Sequence, residues 1–530
     1  MNHAAHFRLC VVALALAAAS VGCAAHERRD PALSSSSQAT LPRGAERWVR
    51  AAMATMGGEE RLRAMRSIRL EGSGHRNELE QSERAEGPWL INYFQFDERC
   101  DFEKNKLRRS SKLRTVARLD SYENDIIVSS GVVAEMHGDR LTPGDLEQKE
   151  ESESRMALGP ERLLVHALDA KDLADGENLV MQGVPHHVVR FSWRGVPIRV
   201  YFNGETGLPT AVEWVSQHSD TFWGVWGDVT TRVLYSAWNV FPGGLRFPMQ
   251  WDTERNGLPA GALMIGRITI DPELPATTFA IPDDVAKARP VLRWSVLEGR
   301  SLPSPQRPPV VIDDGIIEFL DDWNVTLVRQ NDGIVVLEAP IASSFSAQVL
   351  AEARRRFPGL PVKAVVSTSD SWPHIGGLRE YVAEGIPIYV LDRNRPILER
   401  LLSAPHRIAP DKLAKHPQMP KWHFISHAEQ IGDDANRLTI YPYRTEGAER
   451  MMMVDIPERH LLYTGDLVQP LSPEGTSWFP GYLLETAEAV AREKLVVDRV
   501  FGMHIGPTPW STIGSAIDKA RAPAALSGAR

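Results

Sequence analysis

Val362-Lys363-Ala364-Val365-Val366-Ser367-Thr368-Ser369-Asp370-Ser371-Trp372-Pro373-His374-Ile375-Gly376-Gly377 is the stretch on which the fold of this chain turns. Residues 362–367 read as a short apolar strand, 368–374 as a polar loop, and Ile375-Gly376-Gly377 as the start of a helix. Upstream, the turn Asn331-Asp332-Gly333 leads into 334–338, a run apolar enough for a buried strand. An amphipathic helix over 345–357 separates the two. Strands at 315–320 and 324–329 precede them. Strand, helix and strand in alternation imply α/β layers.

Further toward the N-terminus the pattern changes. Runs at 188–193, 198–202, 210–215, 229–238, 246–251 and 263–270 alternate apolar and polar residues and are rich in Val, Trp, Tyr and Phe, with Asn203-Gly204 as a turn signal. They predict one large, curved antiparallel sheet with one face covered. A helical pattern over 45–65, broken at Gly57-Gly58, comes before it. Pro290, Pro303, Pro305, Pro308 and Pro309 mark a stiff join. The expected organisation is a signal segment 1–23, a tether 24–42, a sheet domain 43–290, a Pro-rich linker 291–312 and an α/β-layered domain 313–525.

The 530 residues suffice for two large domains, and 43% hydrophobic with 24% charged residues fits a globular chain. A net charge of -8 with no basic stripe argues against a nucleic-acid partner. Arg8 followed by the apolar run 9–19 fits the core of a signal peptide. Ser20-Val21-Gly22-Cys23 resembles the lipobox of bacterial lipoproteins, although that family usually has Leu where Ser20 stands. The resemblance implies acylation of Cys23, and Ala24 after it implies the outer membrane; an ordinary cleaved signal is the alternative. Several buried methylenes per acyl chain would hold such a protein on the membrane. Cys10 leaves with the signal, so Cys100 keeps no partner once Cys23 is acylated.

The loop 368–374 and the glycines after it resemble the metallo-β-lactamase fold. Enzymes of that superfamily carry His-x-His-x-Asp-His, then x-Gly-Gly, between a strand and a helix, and the loop holds two metal ions. Here Ser369 and Ser371 stand at the two leading histidine positions, Pro373 at the aspartate, and His374 alone remains. Hydroxyls are poor zinc ligands beside imidazole, and proline offers no side-chain ligand. Asp370 is a new carboxylate and a candidate fourth ligand. The run 461–466 resembles the family's strand ending in the bridging aspartate, which keeps Asp466. The run 500–506 resembles the late strand ending in the last histidine, which keeps His504. Arg444 or Gly447 stands where a further histidine belongs; His423, His427 and His460 fall elsewhere.

The resemblance implies an αββα sandwich in which His374, Asp466 and His504, the second-metal ligands of the family, converge on at most one zinc or other divalent ion. Met56-Gly57-Gly58-Glu59-Glu60-Arg61-Leu62 and residues 407–415 are further similar to exported bacterial proteins that join a lipoprotein-carrier-like sheet to such a domain. Two readings follow. The retained triad favours a metal-dependent hydrolase of the periplasm, whereas the lost ligands favour a metal-free pseudoenzyme that binds a lipid, a small molecule or a partner through the sheet domain. Trp214, Trp223, Trp226 and Trp238 could line an apolar groove or fill the sheet core. Met451-Met452-Met453 reads as core and His186-His187 as a surface pair. No Gly-x-Ser-x-Gly elbow or phosphate loop is present.

Overall fold

The computed structural model describes residues 44–522, apart from 80, 81, 83, 116–120, 138, 219–223, 289–301, 305, 306, 322 and 478. The expected signal segment, the tether, Cys23, Trp223 and much of the expected linker lie outside the described residues. The described residues form one compact unit.

Among the described residues, three sheets form. The first is antiparallel throughout and runs from strand Ser67–Asn77 to strand Leu258–Ile270. Its first and last strands pair with each other, Ile68 opposite Ile270 and His75 opposite Ala262, so the chain leaves along one half of the sheet and returns along the other. The expected runs all fall in strands, such as Val184–Trp193, Val196–Asn203 and Asp228–Val240. Their inward positions, Val189, Phe191, Ile198, Val200 and Val212 among them, are buried with Val49, Met53 and Met56 of the helix Ala45–Met56. That helix stops where Gly57 takes a φ of 123°, a conformation a β-carbon would resist, and Glu59–Ala64 restarts after Gly58.

Two helices on the same core, Leu146–Leu158 and Pro160–Asp169, are not foreseen by the sequence patterns above. Their signal is local: Asp145 and Gln148 form a reciprocal capping box, and Pro160 occupies the first turn of the second helix. His186 corrects an expectation. It is buried, with Nδ1 against the Val184 carbonyl at 2.8 Å and Nε2 against Thr210 Oγ1 at 2.9 Å; His187 stacks on Trp48.

The remaining chain builds four layers. A seven-stranded sheet contains Gly333–Leu337, Val362–Val366 and Ile388–Leu391 as parallel neighbours. A six-stranded sheet contains Leu438–Pro442, Met452–Ile456, Leu461–Tyr463 and Arg499–Phe501. Val335, Leu337, Val366, Ile440, Val454 and Tyr463 fill the space between the sheets. The opposite faces are covered by helices: Ser343–Arg356, Leu378–Ala383 and Arg395–Ser403 on the first, Pro480–Glu493 and Trp510–Arg521 on the second. Burial on both faces explains why these strands read as continuous apolar runs, each fully buried Val or Leu contributing about 1.5–3 kcal/mol. Met452 and Met453 show both faces at once, one turned to each core. The chain is thus an α+β protein with a large antiparallel sheet followed by an αββα sandwich.

Candidate metal centre

Three strand ends of the sandwich carry the retained residues. Val362–Val366 delivers the loop to the short helix Trp372–Ile375, which holds His374. Gly376 and Gly377 are glycine because the backbone crowds them: a β-carbon on Gly376 would lie 2.1 Å from the Ile341 carbonyl oxygen, and one on Gly377 2.3 Å from Ser346 Oγ. Leu461–Tyr463 delivers Asp466 through Gly465, whose φ is 61° and whose missing β-carbon leaves room for Thr368. Arg499–Phe501 delivers His504. Asn324 fixes that turn, donating from its backbone to the Met503 carbonyl at 2.7 Å and from Nδ2 to the Gly502 carbonyl at 3.0 Å.

The three side chains converge. One ligand atom from each of His374, Asp466 and His504 lies within 4.8 Å of the others. His504 Nε2 is 3.1 Å from Asp466 Oδ1, and His374 Nε2 is 3.9 Å from Oδ2. Gln469, which no sequence motif singles out, donates from Nε2 to Asp466 Oδ1 at 2.7 Å. The two carboxylate oxygens are therefore differently placed, with Oδ1 tied down and Oδ2 facing His374.

Electrostatics favour a cation there. Burial pushes the His374 imidazole down to about 4, so the ring is neutral at pH 7 with a lone pair to give. Burial alone would raise Asp466, but His374, His504 and Gln469 outweigh it and hold the carboxyl down at about 2. A neutral imidazole, a second imidazole and an ionised carboxylate are a donor set suited to zinc and similar ions. Among the described residues, His374 Nδ1 is buried without a hydrogen-bond partner. Beside the triad opens a cleft of about 690 Å³, lined by His504 and Gln469, with Leu320, Pro470 and the Arg307–Asp321 ion pair on its walls.

Asp370 does not join the group of three. It is buried, which pushes its carboxyl up to about 7 against the pull of Arg450, whose Nη1 lies 3.5 Å from Oδ2. Arg450 in turn holds Glu86 at 2.8 Å. Ser369 Oγ accepts from the Ser371 backbone at 3.1 Å, and Pro373 sits in the first turn of its helix. At the two positions where the resemblance would place a further histidine, Arg444 donates to the Ser426 carbonyl and the Gly447 amide donates to Glu485. His423 stacks on Tyr389, His427 meets Ser426, and His460 pairs with Asp498.

A second buried acid supports the site. Glu338 follows the strand Gly333–Leu337 at a φ of 78° and accepts hydrogen bonds from the Thr368 amide at 3.1 Å and from its hydroxyl. Burial raises its carboxyl to about 8. A non-glycine residue at positive φ in such a place ties the motif loop to the neighbouring strand. The tryptophans divide between cores: Trp214 and Trp238 pack against the N-terminal sheet core, Trp226 edge-on against Trp372 at 5.2 Å.

No protein-family model matches this chain, and no curated protein does. Among solved structures, the DIM-1 metallo-beta-lactamase is similar at TM-score 0.32 and 13% identity, over 40% of this chain and 96% of that one. The metallo-beta-lactamase FIM-1 from Pseudomonas aeruginosa, in a mono-zinc form, gives TM-score 0.30 and 15% identity over 42% and 99%. The inverting sec-alkylsulfatase Pisa1 from Pseudomonas sp. gives 0.30 and 15% over 40% and 41%.

Proposed function

We propose that the sandwich is a metallo-β-lactamase-superfamily hydrolase with a reduced site that holds one divalent metal, zinc or a similar ion, on His374, Asp466 and His504. The observation that carries this reading is the convergence of those three side chains from strand ends about 90 and 40 residues apart in sequence, a separation that packing of a bland core would not require. A metal in such a site polarises an acyl or phosphoryl oxygen and acidifies a bound water. The chain's own residues supply the rest. Gln469 orients Asp466, Asn324 fixes the His504 turn, and the cleft beside His504 admits a small substrate.

The non-catalytic alternative draws its support from one place. Ser369 and Ser371 stand where the first-metal histidines would be, and Asp370 between them is committed to Arg450, which also holds Glu86. In that reading the protein binds a lipid or a partner and the triad is an inherited scaffold.

Metal content decides between them. Purified protein is expected to carry about one zinc per chain by elemental mass spectrometry, and His374→Ala,His504→Ala none. A wild type that stays metal-free after incubation with Zn²⁺, Fe²⁺ and Mn²⁺ overturns the hydrolase reading. We further propose that the protein is exported and anchored to the outer membrane through acylated Cys23. The mass of the N-terminal peptide tests this; an unmodified Cys23 refutes it.

A further inference from the structure

His374 stands on a helix of four residues, Trp372–Ile375. A single helical turn is unfavourable on its own, because few hydrogen bonds repay the dihedral angles it fixes. A metal ligand must nevertheless be held within about 0.5 Å of its productive place. The neighbours of the turn therefore have to hold it, and two of the groups that reach the motif loop come from the antiparallel sheet.

The first is Trp226, on the short turn Gly224–Trp226 that leads into the strand Asp228–Val240. Its ring meets Trp372 edge-on, with centroids 5.2 Å apart and an interplanar angle of 73°. Trp372 is buried, and the Pro373 carbonyl beside it accepts from the Ile341 amide at 2.6 Å. The short helix is thus held by Ile341 of the sandwich and by Trp226 of the sheet. Trp226 is itself well fixed. The Arg400 guanidinium carbon lies 4.4 Å from its ring centroid. Two residues on, the Asp228 amide donates to the Pro405 carbonyl at 2.7 Å, and the Asp228 carboxylate accepts from the Arg407 amide at 2.8 Å.

The second is Glu86, on the connection between the strands Ser67–Asn77 and Ile91–Asp101. Its carboxylate accepts from Arg450 Nη2 at 2.8 Å, and Arg450 Nη1 lies 3.5 Å from Asp370 Oδ2, four residues before His374. The chain beside Arg450 grips the same loop, the Met452 amide donating to the Thr368 carbonyl at 2.8 Å. The sheet therefore reaches the loop at Asp370 and at Trp372, on the approach to the ligand.

We propose that the antiparallel sheet positions the metal ligand His374, with Trp226 as the main positioning residue and Glu86, acting through Arg450 and Asp370, as the secondary one. This role rests on the one-metal reading of His374, Asp466 and His504, and it gives the sheet a part in the centre to which it contributes no ligand.

Zinc affinity of the purified full chain, by competition with a chelating dye, tests the role, and the visible absorption of the Co²⁺-loaded protein reports ligand geometry. Wild type is compared with Trp226→Ala, Trp226→Phe, Glu86→Gln and Leu350→Ala. Leu350 belongs to the core against which Trp226 packs but lies on the helix Ser343–Arg356, so its variant measures lost stability alone. Trp226→Ala is expected to bind zinc about tenfold or more weakly, the scale of a group that orients a ligand, and to change the Co²⁺ spectrum. Trp226→Phe keeps an aromatic ring against Trp372 and should recover most of the affinity. Glu86→Gln should weaken binding by a smaller factor with Tm close to wild type, since its ion pair is partly exposed. Leu350→Ala should lower Tm and leave affinity and spectrum unchanged. If Trp226→Ala does not fold, Trp226→Leu replaces it with the same expectation. A wild type that binds no zinc overturns the one-metal reading and the positioning role with it. A wild type that binds zinc, with the Trp226→Ala or Trp226→Leu variant at wild-type affinity and spectrum, or with Leu350→Ala weakened as much, overturns the positioning role and leaves the one-metal reading standing.

Discussion

At the scale of single residues, the candidate centre is defined as much by what holds Asp466 as by the ligands themselves. A carboxylate can rotate and bind a metal through either oxygen. Here Gln469 Nε2 and His504 Nε2 both occupy Oδ1, at 2.7 and 3.1 Å, which leaves Oδ2 for the His374 side. Groups of this kind behind a ligand typically contribute 10–100-fold in metal affinity. Gln469→Leu is therefore expected to weaken zinc binding by about tenfold or more in competition with a chelating dye, with little change in Tm of the metal-free protein. Unchanged affinity would show that Asp466 is placed by the backbone alone. His374, Asp466 and His504 are legible in sequence because each ends an apolar run, in a fixed order along the chain. Gln469 and Glu338 are not, because a positioning residue needs only to reach its partner and obeys no spacing. The fate of Asp370 is equally hidden: its partner Arg450 is 80 residues away, and Glu86 comes from the other sheet.

At the scale of elements, the strands of the sandwich carry a charge pattern that the apolar runs conceal. Glu318 in the strand Ile316–Phe319 lies opposite Thr326, fully buried, and among the described residues it has a long 3.5 Å contact from Asn324 Nδ2 on Oε1 and no partner on Oε2. Burial raises its carboxyl from 4.5 to about 8. Between those two values the folded chain keeps a proton that the unfolded chain has released. The group's contribution is thus complete below about pH 4.5 and declines as pH rises toward 8. Glu318→Gln is neutral at every pH. It should gain stability over wild type by up to a few kcal/mol at pH 8 and differ little at pH 5, by urea denaturation. An equal difference at both pH values would mean that packing, not titration, sets the effect. Strand positions themselves are readable from periodicity, since residues buried on both faces leave no alternation and half-buried ones leave a clear one. The pair Leu146–Leu158 and Pro160–Asp169 is hard to see because charged residues dominate the first helix, and two of them, Glu153 and Arg155, are paired in or at the sheet core rather than in solvent, Arg155 with Glu161 of the second helix.

At the scale of the whole molecule, the prolines divide the sequence, but the packing does not stop there. Leu79, Ala85, Val225 and Val229 belong to loops and strand ends of the antiparallel sheet, yet they are buried in one core with Trp372, Leu378 and Leu398 of the sandwich. Around that core run the Arg84–Glu449 and Arg450–Glu86 ion pairs and the Asp228 clasp on residues 405–408. Such contacts join residues more than 140 positions apart, which no local pattern can announce. Exposed ion pairs of this type add little, about 0–1 kcal/mol each, so the shared apolar core must carry the coupling. The two sheets should then unfold together: calorimetry of the metal-free protein is expected to give one transition whose van't Hoff and calorimetric enthalpies agree. Val225→Asp places an unpaired charge in the shared core and should lower the Tm of that single transition rather than split off a new one. Two separable transitions in the wild type, or a Val225→Asp variant in which only one sheet melts early, would show two independent domains that merely touch. The same result would leave His374, beside Trp372, outside the reach of the antiparallel sheet.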